Sequence, residues 1–244
     1  MNKILWKPAN TSETHFNKFI DLVNITYDQD LRTYDDLYHW SINNISQFWE
    51  TSLEYSDIEY QGTYKKVLDS MHMAPGVKWF PGLNLNFAEN LLKYKDDQTA
   101  IISKIEKHPP KHISYKELYT QVEKLSSALR DLGVCKGDRV AGFMPNIAEA
   151  VIAMLATTSI GAIWSSSSPD FGIKSVTDRF SQIEPKVIFS ASAYLYNGKT
   201  FNSIDKLQEI IKELPTIEKV IIVDYLKTKP DYSEIPNGVD YSTL

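Results

Sequence analysis

The sequence predicts an α/β fold: a mostly parallel sheet with helices on both faces, preceded by a helical, aromatic-rich segment. Three observations carry this. Strand starts recur at Val140, Ala162, Val187 and Val220, with helical patterns between them, the alternation expected of parallel crossover units. The runs 187–190 and 220–223 are almost continuously apolar, as strands covered on both faces must be. Before them lies RVAGFMPNIAEAVIAMLATTSIGAIWSSSSPDF (139–171), which reads as strand, helix, strand and polar loop. One such unit is a parallel crossover, normally right-handed.

Along the chain, the aromatic-rich part comes first. Four of the five tryptophans, Trp6, Trp40, Trp49 and Trp79, fall before Tyr94. Phe16, Phe19, Ile20, Val23 and Tyr27 share one helical face. Thr33, with Asp36 as its early acid, caps a second helix that buries Leu37 and Trp40. A third is expected after Ser46, carrying Phe48, Trp49 and Leu53. Pro75-Gly76 and Pro81-Gly82 mark a loop, and Asn86 with Glu89 forms a capping box for a short helix through Leu92. Core packing accounts for these aromatics better than ligand stacking does.

From Thr99 the rhythm changes. Residues 99–105 and 111–113 read as a hairpin around His108-Pro109-Pro110. Ser114 and Glu117 open a helix whose Leu118, Val122, Leu125, Leu129 and Leu132 step by four and three. Val140 to Met144 is a short strand ended by Pro145, which cannot continue a ladder. Asn146, with Glu149 three residues on, is expected to cap the next helix, and that helix is apolar almost all round, so it needs partners on several sides. Gly161 stops it. Further helices are expected over 172–182 and 203–214. After Val223 periodicity is lost, and no closing helix is expected. The domain division drawn from this is 1–94, helical, and 95–244, α/β.

Composition excludes some functions. Lys plus Arg number 26 and Asp plus Glu 31, a formal charge of 26 − 31 = −5. No basic stripe emerges, which argues against a nucleic-acid binder. Cys135 is the single cysteine, so no internal disulfide framework is possible, and a reducing cytosolic compartment is expected. MNKILWKPAN is too polar for a signal-peptide core, and the longest apolar run of the central helix, 150–156, falls far short of the roughly 20 residues of a membrane span. The five histidines never reach ligand spacing with one another or with Cys135, so no metal site is expected.

No catalytic motif is legible. Asn197-Gly198-Lys199-Thr200 contains the GKT of a phosphate loop, but Ala193 stands where its leading glycine belongs. The serine run Ser165 to Ser168 follows a strand and precedes a helix, at the carboxyl end where open α/β sheets collect ligands. Helix capping by Ser168 or Asp170 explains the same residues. Tyr196 to Lys199 also lies beyond a strand's carboxyl end, so one edge of the sheet gathers both loops.

The segment KWFPGLNLNFAENLL (78–92) resembles the entry motif of the acetyl-CoA synthetase group within the adenylate-forming enzymes. The stretch from Ser114 to Trp164 is similar to the region that follows it there. WSSSSPDFG (164–172) is similar to the corresponding segment of acetoacetate-activating members, with Ser167 where cysteine is common. The resemblance covers essentially the whole chain. It implies an acid–CoA ligase that uses ATP, Mg²⁺ and CoA on acetoacetate or another short acid, forming an acyl-adenylate before CoA displaces AMP. The ATP site and catalytic groups of that family would follow Leu244, so the rest of a ligase chain is expected downstream, and this portion alone is expected to be inactive with an open sheet edge. The resemblance further implies that the loops touching the CoA nucleotide fall on Ser168, Pro169 and Asp170 and on Tyr196, Asn197, Gly198 and Lys199. Pro169-Asp170 replaces a glycine pair of acetyl-CoA synthetases, and Tyr196 replaces an arginine. A non-catalytic α/β binding or interaction module is the alternative reading.

Overall fold

A computed structural model describes residues 5–72, 75–227 and 230–244. They fall into two compact units, one ending at Leu85 and the other beginning at Asn86.

The first unit is built on three helices: α1 (His15–Tyr27), α2 (Tyr34–Asn43) and α3 (Ile45–Tyr55). Thr14 caps α1, accepting from the Asn17 amide. Thr33 and Asp36 cap α2 reciprocally, each side chain accepting the other's backbone N–H. The third helix begins one residue before Ser46, at Ile45, with Asn44 as its N-cap and no side-chain cap bond. Ile20, Val23, Leu37 and Trp40 form a small core, with Phe19, Tyr27, Leu31 and Phe48 packed on it. Phe16 and Trp49, assigned to buried faces by periodicity, remain partly open at 38% and 46% exposure, and Trp49 meets Trp79 edge-on at 5.5 Å between ring centroids. Two short strands, β1 (Gln61–Gly62) and β2 (Leu83–Asn84), pair antiparallel. Residue 72 is followed by two residues outside the described set, so the loop through Pro75-Gly76 is only partly described.

The second unit starts with the short helix α4 (Phe87–Leu91). Its cap, Asn86, accepts from the Ala88 and Glu89 amides and donates through Nδ2 to Thr158 O at 2.9 Å and Ser159 O at 3.3 Å. The strands β3 (Thr99–Ser103) and β4 (Lys111–Ser114) form the expected antiparallel hairpin. Then comes α5 (Tyr115–Asp131), opened by the Ser114–Glu117 capping box; it buries Leu118, Val122, Leu125 and Leu129.

The sheet follows: β5 (Arg139–Phe143), α6 (Ala148–Ser159), β6 (Ile163–Ser167), α7 (Ile173–Phe180), β7 (Val187–Ala191), a second hairpin of β8 (Ala193–Tyr196) and β9 (Lys199–Asn202), α8 (Ile204–Lys212), β10 (Lys219–Val223) and β11 (Gly238–Asp240), closed by a 3₁₀ turn at 241–243. Five strands run in the order β11-β10-β7-β5-β6, and every pairing is parallel. The alternation of side chains divides the core in two. Val140, Val187, Phe189 and Ile221 face α5 and α6. Ala141, Phe143, Ile188, Val220 and Ile222 face α7 and α8.

The helix α6 is covered as its apolar circumference requires, with α5, α4 and β6 all against it. Its start differs from expectation: the N-cap is Ile147, which makes no side-chain cap bond. Pro145 and Asn146 instead carry the turn out of β5, with the Ile147 amide donating to Pro145 O at 2.9 Å. Two features of this unit were missed. The segment 193–202 is a hairpin rather than a loop, and the aperiodic tail contains β11, whose three half-buried residues are too few to show a period.

Gly142 lies in β5 beside the Trp164 ring of β6. A Cβ added there would stand 2.6 Å from Trp164 Cζ2 and 2.7 Å from Cη2. Trp164 and Phe189, 5.9 Å apart between ring centroids, close over the space that the missing side chain leaves.

Candidate functional site

The strand order fixes where ligands can gather. The chain leaves β5 through α6 for β6 on one side, then returns past β5 to β7, β10 and β11 on the other. Strand order therefore reverses between β5 and β7. In open α/β sheets the crevice outside the carboxyl ends at such a switch is the place where ligands bind. Here that edge carries the turn 144–147 after β5, the loop 168–172 after β6 and the hairpin β8–β9 after β7.

The loop after β6 is held by its own side chains. The expected capping of α7 by Ser168 or Asp170 does not occur: the N-cap is Gly172, which has no side chain. Ser168 Oγ instead donates to the Asp170 carboxylate. That hydroxyl, then the backbone bond at Asp170, then the charge of Lys206, hold the Asp170 carboxyl below its ordinary range. Lys206, on α8, donates through Nζ to Pro169 O at 3.2 Å. At the loop's end the Arg179 guanidinium lies 4.8 Å over the Phe171 ring.

The hairpin after β7 has the chemistry of a two-residue connection. Asn197 and Gly198 both take positive φ, 49° and 75°, the pair of left-handed conformations that a type I′ turn demands and that Asn-Gly tolerates best. Tyr196 pairs with Lys199 in register, and Tyr194 with Phe201. The rings of the second pair stack at 5.1 Å and 15°, a cross-strand contact worth about 0.2–1 kcal/mol. The GKT triplet thus straddles a hairpin turn and the start of β9. Tyr196, at 67% exposure, and Lys199 are presented to solvent at the tip.

The two candidate loops are linked through neighbours. Tyr194 of the hairpin has its phenol raised, first by burial and then by the nearby Asp170 charge. Lys206 joins α8 to the same loop. Sequence reasoning missed Lys206, although the amphipathic pattern of 203–214 places it one position before the buried Leu207.

Beside the hairpin base lies a cleft of about 470 Å³, bordered by Ser192, Thr200, Asp205, Tyr232 and Glu234 among others. Among the described residues its border includes Asp205, Asp231 and Glu234 and no lysine or arginine. Carboxylates on such a wall repel phosphate, whereas the hairpin tip carries Lys199 and the loop after β6 is met by Lys206. Among the described residues there is no group of three or more His, Cys, Asp or Glu side chains that could hold a metal ion. Nor, among them, is any helix long and apolar enough to cross a membrane.

Comparison with known proteins bears on these loops. The chain is 43% identical over 97% of its length to acetoacetyl-CoA synthetase of Mus musculus. It is 40% identical over 91% of its length to malonamoyl-CoA synthetase of Penicillium aethiopicum. The solved structure of acetoacetyl-CoA synthetase from Streptomyces lividans covers the whole chain at 36% identity and a TM-score of 0.91. The chain spans only 36%, 32% and 38% of those three proteins. Residues 34–91 match the acetyl-coenzyme A synthetase N-terminus, a stretch that holds α2, α3 and α4. Residues 87–241 match the family described as AMP-binding enzyme, and they take in the whole sheet and both loops at its carboxyl edge. The chain therefore belongs to the AMP-binding enzymes.

Proposed function

We propose that this chain is the N-terminal portion of an ATP-dependent acid–CoA ligase acting on acetoacetate or a related short acid. The observation that carries this is the 43% identity over 97% of the chain to a protein named acetoacetyl-CoA synthetase. The 40% identity to a malonamoyl-CoA synthetase keeps the acid a class of short, polar-ended carboxylates. In this reading 1–94 is the helical N-terminal region of the acetyl-CoA synthetase type, and 95–244 is part of the AMP-binding domain.

The reaction has two steps. A carboxylate oxygen attacks the α-phosphorus of ATP, with Mg²⁺ as the counter-ion, and pyrophosphate leaves. The CoA thiolate then attacks the acyl carbon of the mixed anhydride, and AMP leaves with the electron pair. Both are reactions of positioning and charge neutralisation. The residues of this chain act in the second step, by binding. Ser168, Pro169 and Asp170 form one wall at the CoA nucleotide, and Tyr196, Asn197, Gly198 and Lys199 form the other. Lys199 offers a cation to phosphate, and Tyr196 offers an exposed ring. Asp170 faces Lys206, which offsets its charge.

The test is to express the complete reading frame that contains this chain and to assay AMP release from ATP, CoA and a panel of short acids. Release that needs both CoA and acetoacetate or a close analogue is the expected result. A reading frame that closes at Leu244, with no AMP released, would leave only the binding-module alternative.

A further inference from the structure

The hairpin tip that presents Tyr196 and Lys199 is gripped by a second turn far away in sequence. In the connection between β3 and β4, the His108 amide donates to Ile105 O at 3.2 Å, closing a turn whose two central residues are Glu106 and Lys107. Lys107 takes a left-handed φ of 63°, a conformation uncommon for a residue other than glycine. The two side chains of this turn reach the two central residues of the other. Asn197 N donates to Glu106 Oε1 at 2.9 Å and Gly198 N to Glu106 Oε2 at 2.8 Å. Lys107 Nζ donates to Gly198 O at 2.7 Å.

A type I′ turn normally leaves its central amides to water. Here one carboxylate takes both, one bond to each oxygen, and the neighbouring ammonium takes a carbonyl of the same turn. Charge-assisted bonds of this length are the strong kind, and three of them converge on two residues. Two strands of four residues joined by a tight turn are marginal in isolation, and this grip is a tie on the tip from outside the hairpin. Neither Glu106 nor Lys107 lies in the loops to which the ligand was assigned.

We propose that Glu106, assisted by Lys107, is a positioning residue that sets the hairpin tip for the CoA nucleotide. This rests on the proposed CoA role of residues 196–199. No bond of the reaction is made at Glu106. Its carboxylate binds the turn amides, fixes the turn, and so fixes the direction in which Lys199 and Tyr196 meet their ligand.

The experiment uses the complete ligase with Glu106→Ala, Glu106→Gln and Lys199→Ala. Pyrophosphate exchange reads the adenylate step, the KM for CoA reads the tip, and hydrogen exchange at the Asn197 and Gly198 amides reads the grip itself. Glu106→Ala is expected to raise the KM for CoA about tenfold, to deprotect both amides and to leave pyrophosphate exchange within about twofold. Glu106→Gln, which keeps an acceptor oxygen, should recover most of the KM. An unchanged KM in Glu106→Ala while Lys199→Ala raises it would overturn the positioning role. A lowered KM would overturn it too, because the carboxylate would then be occupying the phosphate's own place. Equal losses in both steps would mean that Glu106 serves stability alone. Unchanged KM in both variants would instead overturn the CoA assignment of the tip, and the proposal with it.

Discussion

Gly142→Ala tests how tightly the sheet is closed under the segment that leads to the first candidate loop. The new methyl carbon would lie 2.6 Å from Trp164 Cζ2 and 3.4 Å from Ser166 Cβ, where carbon atoms in contact prefer about 3.5–4.0 Å. The methyl cannot retreat, because β5 is paired on both edges, to β6 and to β7. The Trp164 ring must therefore move by about 1 Å, away from Phe189 and outward from the sheet. Overpacking of this kind costs about 1–3 kcal/mol, and the lost aromatic contact is part of it. Replacing glycine inside a strand returns about 0.5–1 kcal/mol. The net expectation is a loss of about 1–2 kcal/mol, or a fall in Tm of roughly 2–8 °C for a chain of this size. The assay is thermal unfolding of wild type, Gly142→Ala, Trp164→Leu and the double variant. With the ring gone the methyl should cost nothing, giving a coupling of about 1 kcal/mol or more between the two sites. A Gly142→Ala variant as stable as wild type, or a double variant whose losses simply add, would refute the argument from the Trp164 contact.

Other expectations follow from the same geometry. Lys199→Ala in the complete ligase should raise the KM for CoA roughly 10- to 150-fold, the equivalent of about 1.5–3 kcal/mol for a lost charge-assisted contact, with pyrophosphate exchange nearly intact. Asn86→Ala removes the cap of α4 together with two bonds to the last carbonyls of α6; denaturant titration should show a loss of about 1–3 kcal/mol. The Asp170 carboxyl is held low chiefly by Ser168, so what its ionised form contributes to the loop is present above the ordinary value near 3.8 and is lost as pH falls through the lowered one. Ser168→Ala should bring the Asp170 titration, followed by NMR, back toward 3.8; an unmoved titration would mean that another donor holds it.

The sheet was legible because its strands are runs in which nearly every side chain is buried. Val187 to Ala191 has no exposed position at all, and no other local pattern competes with such a run. The Ser114–Glu117 and Thr33–Asp36 caps were legible for a similar reason, since both bonds form within three residues. The cap of α6 misled because Asn146 has the right chemistry, while Pro145 directs the backbone into a turn that begins the helix one residue later. The β8–β9 hairpin was obscured by its exposure. Every residue of β9 faces water, so no alternation appears, and the one strong signal, Asn197-Gly198, was read as part of a triplet. The loops at the carboxyl edge were placed correctly along the chain, but their proposed ligand came from the family resemblance. The grip of Glu106 on the tip could not be read at all, because its bonds span about ninety residues and leave no periodic trace.

The strand order also has a consequence for the growing chain. Once β5, α6 and β6 have left the ribosome, they can form a complete crossover unit, because β6 pairs with β5 across a single helix. The other edge of β5 has no such local partner. Its neighbour is β7, which follows only after β6 and α7, roughly 45 residues later, or about 2–9 s at typical rates of synthesis. For that interval an apolar strand, buried on both faces in the finished sheet, stands with an open row of amides and carbonyls. Chaperone binding during synthesis is therefore expected to peak as β6 emerges and to fall once β7 has docked.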